Sequence, residues 1–216
     1  LASAVRAMEL VNPAGELLNF SQEKDGDKFN GMVVNLGALG IITKVTLAIE
    51  PTFDVRQDVF QNLPVSALKY NFDKIMSSGH SVSLFTDWQN DNVSQVWIKR
   101  KVSADTQDMP ATYFEATAAT KDLHPITELS AENCTAQMGV AGPWFDRLPH
   151  FKMGFIPSSG EELQSEFFVP RDRAMEAYLA VEAMREEIGP LLFITEIRTI
   201  KADDLWLSTA YKRESV

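Results

Sequence analysis

The chain has 216 residues, with 20 Lys and Arg against 30 Asp and Glu, so its formal net charge is −10. With 45% hydrophobic and 23% charged residues it is too apolar for a disordered chain, and it is long enough to bury a substantial core. The acidic balance argues against a nucleic-acid or anionic-membrane surface, and the single cysteine, Cys134, excludes an internal disulfide framework and a cysteine-based metal cluster.

Val5 to Val11 is apolar and β-tolerant. It meets Asn12-Pro13-Ala14-Gly15, a turn in which proline fixes φ and glycine frees it, and Glu16 to Phe20 returns, so residues 5–20 read as a hairpin. Asp25-Gly26-Asp27 starts a helix whose Phe29, Met32, Val33 and Leu36 share one face. Gly37 and Gly40 bracket a tight passage into a strand over Ile41–Ile49, and Glu50-Pro51 closes the unit. A domain boundary is expected there, dividing the chain into residues 1–50 and 51–216.

Beyond it, Phe53–Phe60 reads as a strand. Pro64 opens a helix carrying Leu68, Phe72, Ile75 and Met76 and ended by Gly79. Ser81–Trp88 and Val93–Val102 follow as strands, joined by the turn Gln89-Asn90-Asp91-Asn92. Later, Leu163–Val169 alternates as a strand, and Pro170 opens a helix bearing Met175, Tyr178, Leu179, Val181 and Met184. Gly189-Pro190 stops that helix, and Leu191–Ile200 is a further strand. The order β-α-β-β … β-α-β predicts an α+β fold: two split, ferredoxin-like halves forming an antiparallel sheet with helices on one face. Residues 103–160 are rich in Thr, Ala, Pro and Gly, and so long an irregular stretch is more often functional or an arm than filler.

No run approaches the ~20 apolar residues of a membrane helix, and no basic-then-apolar signal pattern opens the chain. With one cysteine, the expected compartment is the reducing cytosol. The sequence opens at Leu1 without a methionine, and both ends read as cuts through a longer polypeptide.

The segment Leu191-Leu192-Phe193-Ile194-Thr195-Glu196-Ile197-Arg198-Thr199-Ile200 holds two opposite charges in an otherwise apolar strand. Strand alternation projects Glu196 and Arg198 from one side, roughly 7 Å apart. One reading is an edge ion pair on a solvated face. The other is a half-buried pair lining a pocket, where the carboxylate accepts hydroxyl protons and the guanidinium donates to oxygen. Gln164 follows the same logic, since its amide both donates and accepts as a polyhydroxylated substrate requires; its alternative is a surface strand face.

Other features carry less. Gly37-Ala38-Leu39-Gly40 is GxxG and opens a strand, unlike the GxGxxG fingerprint that opens a helix, and a helix C-cap followed by a turn explains it equally. His80, His124 and His150 are scattered, none three or four positions from another His or Cys, so no metal site is expected. Cys134 reads as a buried, inert thiol. The tryptophans read as core or pocket wall, with Pro143-Trp144-Phe145 the most exposed. Ser158-Ser159-Gly160 reads as a loop rather than a GxSxG nucleophile elbow.

The segment Asn30-Gly31-Met32-Val33-Val34-Asn35-Leu36-Gly37-Ala38-Leu39-Gly40-Ile41-Ile42-Thr43-Lys44-Val45-Thr46-Leu47 resembles the end of the flavin-binding domain of vanillyl-alcohol-oxidase-type flavoenzymes. Pro51-Thr52-Phe53-Asp54-Val55-Arg56-Gln57, Ser81-Val82-Ser83-Leu84-Phe85-Thr86-Asp87-Trp88, Gly142-Pro143-Trp144 and Leu148-Pro149-His150-Phe151 narrow the resemblance. Together with the stretch from Pro157 to Glu166 and Glu196-Ile197-Arg198-Thr199, they are similar to alditol (xylitol) oxidases.

That resemblance implies a FAD-binding domain ending near residue 50, followed by a substrate (cap) domain. It implies oxidation of a polyol's terminal hydroxyl, with O₂ as acceptor and H₂O₂ as product. By match to the family's motif, Glu196, Arg198 and Gln164 are its substrate-binding residues, and backbone at Gly40, Ile41 or Ile42 touches FAD. The family's phosphate-binding loop and flavin-attachment histidine match nothing in this chain, which is therefore expected to be inactive in isolation. A sugar-lactone oxidase, or a polyol-binding module without redox activity, stands as the alternative.

Overall fold

A computed structural model describes residues 1–156 and 162–216 of the chain. The described backbone falls into two units, Leu1–Pro51 with Ile200–Ser215, and Thr52–Thr199 with Val216. The sequence reading has one division, at residue 50, and does not include the second crossing at residue 200. The loop Ser158-Ser159-Gly160 lies outside the described residues.

In the first unit the Asn12 side chain builds the hairpin turn, accepting from the amides of Ala14 and Glu16 at 3.0 Å each, while Gly15 takes a φ of +79°. Strands β1 (Val5–Val11) and β2 (Leu17–Ser21) are thereby antiparallel, and β3 (Ile41–Leu47) pairs on the other side of β1. Ser21 caps the short helix α1 (Gln22–Asp25) through the Lys24 amide, and Asp25 answers by accepting from the Ser21 amide at 2.8 Å. Helix α2 (Asp27–Val33) lays Phe29 on Met8 and Leu10, with Met32 and Val33 at the margin.

Leu36 does not join that face, as its spacing predicts; it is exposed and at φ +53°. The cause is Asn35, whose amide donates to the Met32 carbonyl at 2.7 Å and accepts from the Gly37 amide at 2.8 Å, ending the helix before another turn can form. The returning segment adds Ile200 paired with Ser215, and the Trp206 ring lies where a side chain at Gly31 would be.

The second unit is built on β4 (Asp54–Pro64), α3 (Val65–Met76), β5 (Ser81–Thr86) and β6 (Asn92–Lys101). Because β6 is antiparallel to both β4 and β5 and lies between them, the first three elements form a split β-α-β unit. Short strands β7 (Thr112–Tyr113) and β8 (Ala116–Ala118) widen the sheet beyond β4, and β9 (Gly142–Pro143) pairs with the start of β4 just before helix α4 (Trp144–Arg147). After helices α5 (Ala174–Glu182) and α6 (Arg185–Ile188), β10 (Thr195–Arg198) joins β5, so the strand order among the described residues is β10-β5-β6-β4-β8-β7.

Strand alternation gives this sheet two distinct faces. One carries Phe60, Val82, Leu84, Val96, Ile98 and Ile197 and is covered by Leu68, Phe72, Ile75 and Met76 of α3 and Ala174 and Tyr178 of α5. The other carries Val59, Phe85 and Trp97 and is covered by the irregular segment, through Ala119, Leu123, Cys134 and Phe151. The chain is thus α+β with antiparallel sheets, and no helix among the described residues is long and apolar enough to cross a membrane.

Two predicted strands differ. Residues 163–169 form no strand: Leu163 and Phe167 stand exposed, so the alternation there has no apolar cover to reward it, and only at Val169 does the backbone pair, exchanging hydrogen bonds with Val216 at 3.0 and 2.9 Å. The strand predicted for Leu191–Ile200 shrinks to Thr195–Arg198, because Gly189–Leu191 forms a 3₁₀ turn at one end and Ile200 exchanges backbone hydrogen bonds with Ser215 at the other.

Candidate active site

The face beneath the irregular segment is apolar at Trp97 and Phe85 but carries a polar group beside them. On β6, Gln95, Trp97 and Lys99 share this side; on β5, Ser83 and Phe85; on β10, Glu196 and Arg198, with Arg198 paired to Ser83 and Glu196 to Phe85. From above, Thr135 pins the incoming loop, its hydroxyl donating to the Pro149 carbonyl at 2.7 Å and its amide to the His150 carbonyl at 3.0 Å. That places the His150 ring edge-on to both Trp97 and Phe85, with centroids 5.2 and 5.6 Å away.

Lys99 is buried, and its ammonium finds three acceptors: the carbonyls of Leu148 at 2.6 Å and Pro149 at 2.9 Å, and His150 Nδ1 at 3.1 Å. The other ring nitrogen, Nε2, lies 2.8 Å from Glu196 Oε1. Arg198 Nε is 3.4 Å from the same oxygen. Glu196 and His150 keep 25% and 19% of their side-chain surface open, and Arg198 keeps 53%, so the group grades from dry at Lys99 to wet at Arg198.

The charges follow from this gradient. Burial pushes the Glu196 carboxyl up, but hydrogen bonds from His150 and Ser83 and the Arg198 charge outweigh it and hold the group below the usual carboxylate range. Burial pushes His150 down, helped by the Lys99 and Arg198 charges and opposed by Glu196. Burial also lowers Lys99 to about 7, with Glu196 opposing and Arg198 assisting. Cys134, under the same cover, is buried and raised to about 11, an unreactive thiol as its sequence context suggests.

The structure therefore brings Glu196 and Arg198 together. Gln164 lies exposed in the strandless stretch after residue 162, outside the hydrogen-bonded group of Lys99, His150 and Glu196. Two members of that group, Lys99 and His150, are missed by sequence reasoning. Lys99 carries a faint signal, since it continues the inward row of Gln95 and Trp97 where a strand end is expected to be solvated. His150 stands in one of the motifs that carry the resemblance, but nothing in the sequence points to its partner Glu196, 46 positions away.

Gly40, Ile41 and Ile42 lie in the first unit. Gly40 has a φ of +135°, and a side chain there would strike the Val11 carbonyl, so the chain's own backbone already demands the glycine. Ile41 and Ile42 are exposed on β3, which is an edge strand of its sheet among the described residues. Exposed apolar side chains on an edge strand fit the margin of a flat ring such as the isoalloxazine of FAD. The Gly37–Gly40 turn leads into a strand, so it does not fit a diphosphate, which favours a helix N-terminus.

No protein-family model matches the chain. It is 44% identical over all 216 residues to an alditol oxidase of a Streptomyces species, covering 50% of that protein. It is 26% identical to an L-gulono-1,4-lactone dehydrogenase of Mycobacterium tuberculosis and 22% identical to a bovine L-gulonolactone oxidase, in each case over the full chain and 51% of the relative. The chain spans about half the length of the curated relatives it matches. The resemblance to alditol oxidases read from its motifs is thus matched by an alignment that spans the whole of this sequence.

Proposed function

We propose that this chain is the substrate-binding part of a FAD-dependent alditol oxidase acting on a xylitol- or sorbitol-like polyol. The observation that carries the reading is the Glu196–Arg198 pair, an ionised carboxylate and a half-open guanidinium side by side. A polyol is neutral and heavily hydrated, so its site must replace water with directed hydrogen bonds. Glu196 accepts from a hydroxyl near the reacting carbon, and Arg198 donates to oxygen and favours negative charge developing there. Gln164, exposed in this structure, would add an amide that both donates and accepts. Bound FAD supplies the acceptor for the hydride leaving the alcohol carbon, and the overall change is RCH₂OH + O₂ → RCHO + H₂O₂. Gly40, Ile41 and Ile42 would meet the flavin margin. A cytoplasmic location belongs to the same reading and leans on the single, buried Cys134.

The test is steady-state kinetics on the flavin-loaded full-length protein. Glu196→Gln and Arg198→Ala are each expected to lower kcat/KM for xylitol by two or more orders of magnitude, about 3 kcal/mol, and near-normal values in both would refute the assignment. The lactone relatives favour a second reading, a sugar-lactone oxidase, and a panel of alditols against aldonolactones separates the two. These 216 residues alone are expected to bind little FAD; a yellow, peroxide-producing preparation of them would overturn that.

A further inference from the structure

The Glu196 carboxylate does not stand alone; a buried lysine reaches it through an imidazole. In its ammonium form, which prevails below about pH 7, Lys99 has three N–H donors and three acceptors within 3.1 Å, two of them backbone carbonyls that can only accept. The third, His150 Nδ1, must therefore accept as well, which leaves the ring proton on Nε2. Nε2 faces Glu196 Oε1 at 2.8 Å, so the proton is donated to the carboxylate. The surroundings restrain the ring on this line. Thr135 fixes its backbone, and Trp97 and Phe85 stand edge-on against it.

We propose that Lys99 and His150 are positioning residues for Glu196, the Lys99 ammonium selecting the Nε2–H tautomer of His150 and that N–H holding the carboxylate in one orientation. The proposal rests on the reading of Glu196 as a polyol-binding residue and adds the two residues that would make its geometry fixed rather than adaptable. Neither touches substrate in this scheme. Each acts through the next, as a carboxylate or carbonyl behind a metal-bound histidine does. The charged and titratable groups facing this line are Arg198 on β10 and Cys134 from the covering segment, with Asp122 and Lys152 acting on Cys134 from the same cover.

The experiment has two arms, both on the flavin-loaded full-length protein. The first reads the His150 ring nitrogens by ¹⁵N NMR at pH 6. A neutral ring with Nε2 protonated is expected, and in Lys99→Met the Nδ1–H form should gain population; an Nδ1–H ring or an imidazolium in the unmodified protein overturns the proposal. This arm does not depend on what Glu196 binds.

The second arm is a double-mutant cycle in xylitol kinetics. His150→Phe is expected to lower kcat/KM about ten- to hundredfold and to shift the acid limb of its pH profile upward, because Glu196 loses a donor. His150→Gln, which keeps a donor near the Nε2 position, should recover part of the loss. Adding His150→Phe to Glu196→Gln should cost little more than Glu196→Gln alone. Additive losses with an unmoved acid limb, as a merely structural histidine would give, overturn the proposal. If Glu196→Gln itself leaves xylitol kinetics near normal, the polyol reading fails, and the NMR arm still decides whether the relay exists.

Discussion

His150 Nε2 lies 2.8 Å from Glu196 Oε1, although the two residues are 46 positions apart and come from a loop and an edge strand. The contact helps a carboxylate whose pKa burial alone would raise to stay below the ordinary carboxylate range. Its acid limit is therefore informative. With the folded pKa below the ordinary 4.5, the ionised form persists throughout the usual range and is lost only as pH falls below it. Ser83→Ala removes one donor, so the pH at which KM for xylitol begins to rise should move up toward 4.5. A limit that stays put or moves down contradicts the assignment of Ser83.

Lys99 makes the opposite prediction for stability. Its folded value of about 7 is below the 10.5 of a free lysine. Between those values the unfolded chain holds a proton that the folded chain lacks, so stability strengthens as pH rises through this window. The unmodified protein should gain on Lys99→Met between pH 7 and pH 10, read as the difference in urea midpoints. A difference independent of pH would show that Lys99 is not held as described.

The helix-covered face of the sheet sets the cost of core loss. Leu68 is fully buried between α3 and the sheet, whereas Tyr70 on the same helix is 80% exposed. Leu68→Ala should destabilise by about 2–5 kcal/mol and Tyr70→Ala by less than about 0.5 kcal/mol in denaturant unfolding. Equal effects would mean that α3 is turned differently on the sheet.

Two glycines of the first unit separate strain from collision. Both have positive φ, but Gly15 has open space around it while Gly40 is pressed on the Val11 carbonyl. Gly15→Ala should cost about 1 kcal/mol and Gly40→Ala about 1–3 kcal/mol, ranked by melting temperature. The reverse order would show that the Gly40 turn is looser than described.

What the sequence discloses here follows the range of the force involved. The hairpin of β1 and β2, the helix after Pro64 and the strand pair β5–β6 rest on turn chemistry and periodicity, which act between near neighbours. The shared side of Glu196 and Arg198 is equally local, a matter of alternation in one strand. Leu163–Val169 has the same alternation without a strand, because pairing depends on a partner that periodicity cannot supply. Leu36 fails for a still smaller reason, one asparagine side chain competing for the end of its helix. Lys99 and His150 lie beyond such reasoning, since only the folded cover of the sheet brings the Leu148–His150 loop over β6.

The return of Ile200–Ser215 to the unit begun by Leu1–Pro51 makes the first unit discontinuous and the second an insertion within it. Such nesting imposes an order on folding. Closing the outer unit across an unfolded insert carries the entropy of a very long loop, whereas a folded insert shortens the gap to the distance between its own ends. The inner sheet should therefore assemble first, and the stacking of Trp206 on Gly31 should mark the last stage of refolding, well after Trp97 is shielded.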